Sequence, residues 1–123
     1  TAAHCPVTRD RLGLPPDHPA SFVLSGHTHG GQIAPCGVAL VLPRCCGDYV
    51  AGWYRSGGPP LYVSRGIGTS LLPVRLGATP ELAVFDWSLS AADRATGTTR
   101  GGGTIGMHRL ASPACAVAAA GRR

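Results

Sequence analysis

The stretch SGHTHGGQ, residues 25–32, sets two of the chain's five histidines two positions apart between glycines. In an extended backbone, residues i and i+2 point to the same side, roughly 6–7 Å apart. His27 and His29 could then each reach one of two metal ions spaced about 3.5–4 Å, with Thr28 turned away. Gly26, Gly30 and Gly31 let the chain turn sharply and let a metal or substrate come close. His4, in AAHCP after small apolar residues, offers a third imidazole. Three neutral imidazoles suit a divalent ion such as zinc. The competing reading is a polar loop whose histidines only form hydrogen bonds, with His4 structural or exposed. A dinuclear hydrolytic site also needs carboxylates, and Asp10, Asp17, Asp48, Glu81, Asp86 and Asp93 all lack ligand spacing to the histidines. His18, between Asp17 and Pro19, and His108, in the tail, are read as solvated.

The elements that must position these groups read as short strands with few helices. Residues 1–6 are the end of a strand running into a turn, because Pro6 stops regular pairing. VTRDRLGLPPDHPA can hold one short helical turn before Pro15 and Pro16 end it. SFVLSG is a β run closed by Gly26, which puts the histidine pair at the strand's C-terminal edge, where α/β sheets place their chemistry. Residues 32–54 are broken by Pro35, Pro43 and glycines and read as meandering strands or an ordered long loop. Residues 61–64 form a strand before a glycine turn. In ELAVFDWSL, Leu82, Val84 and Asp86 alternate with Ala83, Phe85 and Trp87, as a strand requires. The total is four or five strands against at most two short helices. After about residue 90, Gly, Thr, Ala and Arg dominate without a periodic apolar face, so residues 90–123 read as a disordered tail.

The chain has 123 residues, enough for one small domain with a modest core. Because it opens on Thr1, a piece of a longer protein is expected. Its net charge of +5 comes from 11 arginines with no lysine, and asparagine is absent too. The arginines are scattered singly, without interleaved aromatics, so no nucleic-acid binding is predicted. No apolar run is long enough to cross a membrane, and the start lacks the regions of a signal peptide. Five cysteines make an odd set without a CxxC pair, and the adjacent Cys45 and Cys46 cannot readily bond to each other, so most are expected to be reduced. GGGTIG, with Gly101, Gly103 and Gly106, matches G-x-G-x-x-G, but no strand precedes it and no helix follows, so it is not read as a dinucleotide site. SRGIGTS could present backbone N–H groups to an anion, although a tight turn is the simpler reading. Arg65 faces either a phosphate or the solvent. Nothing places Glu81 near the histidines, and the aromatics are read as packing.

Taken in order, AAHCPV, SFVLSGHTHGGQI and GWYRSGGPPLYVSRGIGTSLLPVRLGATPELAVFDW resemble the C-terminal half of the calcineurin-like metallophosphoesterases, in a bacterial branch of small, often membrane-associated phosphodiesterases. The likeness covers about residues 1–87. It implies an α/β fold, with residues 1–89 as the β-rich C-terminal part of a four-layer αββα sandwich. It also implies two divalent ions, Mn, Fe or Zn, and cleavage of a phosphate ester, with a diester expected, by a metal-bridging hydroxide. His4 looks like the family's lone histidine on the second metal, His27 like another ligand to that metal, and His29 like a ligand to the first. The family's Asp-x-His, Gly-Asp and Asn-His motifs precede these residues. This chain has no asparagine and no Asp-x-His, so the carboxylates and the catalytic histidine are expected upstream of Thr1, and no catalytic residue is assigned here. Alone, the chain is expected to hold one ion or none. The alternative is a truncated, inactive domain that binds one ion weakly through His27, His29 and either Cys5 or His4. Membrane, envelope or cytoplasmic location is suggested by the family branch only.

Overall fold

The computed structural model describes residues 1–15, 22–88 and 104–110. Four short strands form one sheet: β1 (Ala2–Ala3), β2 (Val23–Ser25), β3 (Gly52–Tyr54) and β4 (Leu61–Val63), in the order β1-β2-β4-β3. β1 and β4 both run parallel to β2, and β3 is antiparallel to β4. Ala3 pairs with Ser25, and Ser25 with Val63. The C-terminal ends of three parallel strands therefore meet at one edge of the sheet. From that edge leave His4, His27 and Arg65.

One side of the sheet is aliphatic. Val23, Leu61 and Val63 are buried together, and Ala3, Tyr49 and Tyr54 pack against them. Each such burial stabilises the fold by about 1.5–3 kcal/mol. The other side is aromatic, where Trp53 and Phe85 each meet the buried Tyr62 in T-shaped contacts at 5.1 Å. Phe85 comes from β5 (Leu82–Ser88), which pairs antiparallel with β6 (Thr104–Leu110). The alternation expected in β5 holds, with Leu82, Val84 and Asp86 exposed and Ala83 and Phe85 half-buried.

β1 ends at Ala3, and beyond Pro6 comes one helical turn, α1 (Thr8–Arg11). Arg9 on α1 is buried over the Tyr49 ring, 4.8 Å from its centroid, with Asp10 bonded to the Tyr49 hydroxyl. The described residues thus form a mixed sheet with little helix, compatible with the expected α/β class.

Two expectations change. Within the stretch read as a disordered tail, Thr104–Leu110 is a strand; its partner is distant in sequence, which local composition does not reveal. The rest of that stretch, including Cys115, lies outside the described residues, as does His18. Gly106 of GGGTIG sits inside this strand, opposite Asp86, so the glycines lead into β structure and not into a helix. The second change concerns the cysteines. Cys5 and Cys45, 40 positions apart, form a disulfide with their Cα atoms 5.7 Å apart. Spacing could exclude only the vicinal pair, whereas this pairing depends on the fold. Cys36 is free and exposed, and Cys46 is free and buried.

Candidate metal centre

The site begins where β2 ends. The Ser25 hydroxyl donates to the His4 carbonyl at 2.9 Å, tying the exit of β1 to that of β2. Beyond Gly26 the chain does not continue extended, so the i, i+2 geometry expected for the histidine pair is corrected. His27 and His29 have φ of 70° and 51°, Thr28 between them is right-handed helical, and Gly30, Gly31 and Gln32 follow at 64°, 81° and 47°. Each non-glycine residue in the left-handed region costs about 1–2 kcal/mol, so this turn exists because its surroundings enforce it.

Thr28 is the main restraint. It is buried, its hydroxyl donates to the Val50 carbonyl at 2.6 Å, and the same oxygen accepts the Gly30 N–H at 3.2 Å. Gly31 N–H donates to the Thr28 carbonyl at 2.8 Å. A side chain on Gly31 would run into Ala39, whose Cα lies 2.9 Å from the Cβ position, and one on Gly30 would press on Arg65. The glycines are thus needed both for φ and for space.

This turn carries His27 over His4, with ring centroids 4.3 Å apart. Burial first, then the nearby His4 and His29, holds the His27 imidazole below its ordinary 6.5, favouring the neutral ring that can bind a metal. His29 Nδ1 lies 3.2 Å from the Gly68 carbonyl. A carbonyl only accepts, so Nδ1 carries the hydrogen and the lone pair falls on Nε2. Metal-ligating histidines are commonly oriented in this way. His4 and His27 are in ring contact, and His29 is near enough to act on the charge of His27.

No aspartate or glutamate is seen to join them among the described residues. Glu81 is buried on the aromatic side, where it accepts from the Tyr62 hydroxyl and pairs with Arg65 at 3.1 Å. Arg65 is therefore bound to a carboxylate and is not simply facing solvent. In SRGIGTS, the Gly66 N–H donates to the Ser64 hydroxyl at 3.1 Å, as in a tight turn. His108 stands in β6, opposite Val84.

Two positioning residues had no sequence signal. The Arg75 guanidinium donates to the carbonyls of Ala78, Gly68, His29 and Arg65 at 2.5–3.1 Å, clamping the loop after β4 to the histidine turn. The Gln32 side chain accepts from Ser70 N–H at 2.7 Å and donates to the Leu72 carbonyl at 2.8 Å. Both clamps bind backbone groups, so no residue-type pattern could announce them.

Comparison with known proteins now bears on this site. The chain is 44% identical over 70 residues to the uncharacterized metallophosphoesterase YkuE of Bacillus subtilis, covering 56% of this chain and 24% of that protein. It is 35% identical over 85 residues to the phosphodiesterase YaeI of Escherichia coli, covering 68% of this chain and 30% of that one. A Bos taurus transmembrane protein with a metallophosphoesterase domain is 39% identical over 82 residues, 65% of this chain and 17% of its own length. No family model matches the chain, and no solved structure does. The chain carries part of a metallophosphoesterase domain and spans less than a third of each of these relatives.

Proposed function

We propose that His4, His27 and His29 are the imidazole ligands of a dinuclear metal centre in a phosphoesterase, and that its substrate is a phosphate diester. The supporting observation is the arrangement at the sheet's C-terminal edge, where a neutral His27 touches His4 and His29 has its Nδ1 engaged by the Gly68 carbonyl. Two divalent ions, Mn, Fe or Zn, would supply Lewis acidity toward the phosphoryl group and activate water. The protein's own part is orientation. Thr28 and the glycines hold the turn, Gly68 fixes the His29 tautomer, and Arg75 holds the two loops together.

In this reading the carboxylates, the remaining ligands and the catalytic histidine come from sequence preceding Thr1. That sequence would also complete a four-layer αββα sandwich over this sheet. Membrane association of the whole protein belongs to the same proposal and rests on the name of the bovine relative; among the described residues no helix is long and apolar enough to cross a membrane.

The test is metal analysis with bis-(p-nitrophenyl) phosphate hydrolysis on a longer protein that includes this chain. His27→Ala and His29→Ala are expected to lower metal content and turnover together. Unchanged metal stoichiometry in both variants would sink the proposal.

A further inference from the structure

Among the described residues, one group of three donor side chains brings its ligand atoms within 4.8 Å of one another: Cys5, His27 and Cys45, all half-buried. They come from three separate segments, the exit of β1, the turn after β2 and the turn at residues 44–45. Around one tetrahedral zinc, with Zn–S near 2.3 Å and Zn–N near 2.0–2.1 Å, donor atoms stand roughly 3.3–3.8 Å apart; the widest separation allowed by this group exceeds that by only about 1 Å, and the two joined sulfurs would have to part to reach it. Two sulfurs and one imidazole form a set that prefers zinc or Cu(I) to Mn or Mg. In the structure the two sulfurs are joined, and it is the thiolate that serves as metal ligand.

We propose that the reduced chain holds one Zn²⁺ on Cys5 Sγ, Cys45 Sγ and a ring nitrogen of His27, and that closing the Cys5–Cys45 disulfide expels the ion. Neither sulfur belongs to the ligand set proposed for the hydrolytic centre, and His27 is the one residue the two sites would share. The exchange balances with a small-molecule disulfide as oxidant. One protein thiolate attacks it and releases the first small thiol, and the second protein thiolate then displaces the other. The S–S bond of the small molecule breaks, the Cys5–Cys45 bond forms, two electrons pass to the two departing thiols, and Zn²⁺ is freed. Because His27 also lies against His4, an ion held by the sulfurs would draw it away from any centre built on the histidines.

The test uses the chain with its natural cysteines, reduced by a phosphine, with and without one equivalent of Zn²⁺. Iodoacetamide labelling is followed at each cysteine by peptide mass mapping. Zinc is expected to slow labelling of Cys5 and Cys45 roughly tenfold or more by occupying their thiolates, while leaving exposed Cys36 unchanged. Adding oxidised glutathione to the zinc-loaded chain should then release the metal to a chromogenic chelator. Equal labelling of Cys5 and Cys45 with and without zinc, or zinc kept after the disulfide closes, overturns the proposal. His27→Ala keeps both sulfurs but removes a direct ligand, so zinc should bind at least about tenfold more weakly, no less than when an outer-shell partner is lost; unchanged affinity there also overturns it.

Discussion

The loops that leave β2 and β4 stand side by side at one edge of the sheet and are built on opposite principles. The first is held from within. Thr28, Gly30, Gly31 and Ala34 are buried, and three non-glycine residues are kept at positive φ by hydrogen bonds between near neighbours and by the anchoring of Thr28 to the Val50 carbonyl. The second is held by long side chains that reach across it, one of them its own. Ile67, Leu71, Leu72, Val74 and Leu76 are exposed, and its course is set by Arg75 and by Gln32 of the first loop. A backbone packed against its own glycines has one arrangement, whereas a loop hung on two long side chains keeps its arrangement only while those side chains are engaged. The histidines sit on the first kind of loop, and the carbonyl that orients His29 sits on the second.

That contrast ranks the effects of breaking it. Gly31→Ala should be the most damaging, costing about 3 kcal/mol in urea unfolding, because it adds positive-φ strain to a collision with Ala39. A cost below about 1 kcal/mol would show the first loop to be adaptable. Thr28→Val keeps the shape but leaves the Val50 carbonyl and the Gly30 N–H without their partner, and about 2 kcal/mol should be lost. Arg75→Lys removes the fork while retaining the charge. Amide exchange across residues 66–76 should quicken about tenfold, with β2 and β4 unaffected; equal change in the strands would mean that the loops are not independent.

The smallest effect is electrostatic. Burial, then His4 and His29, makes the protonated form of His27 unfavourable in the folded chain, so its pKa lies below 6.5. The folded state then binds fewer protons than the unfolded one. The stability this group contributes is complete above pH 6.5 and is lost as pH falls from there through the folded value. Wild type should therefore weaken relative to His27→Gln below pH 6.5 and run parallel to it above. A pH-independent difference would place His27 in open solvent.

Much of this was legible in the chain itself. SFVLSG and LYVS read as strands because β-branched and aromatic residues run up to a glycine, and the structure has them as β2 and β4. The alternation in residues 82–86 likewise predicted which side chains of β5 share a face. The histidine turn was half legible. Glycines around His27 and His29 signal a site at a strand's end, but the left-handed turn depends on Val50 and Ala39, which are distant in sequence. The same is true of Glu81, which no spacing rule joins to Tyr62 and Arg65.

Residue types and their order therefore determined the strands and the imidazoles that end them, because side-chain alternation and strand termination are local properties of the backbone. They also carried the family resemblance. The tertiary structure alone decided which groups meet there. His4 joins His27 because β1 is parallel to β2, Cys5 joins Cys45 across 40 positions, and Arg75 reaches four carbonyls from two loops. Such contacts form when the sheet brings distant segments to a common edge, and each is sealed by a short-range bond whose partner the linear sequence does not specify.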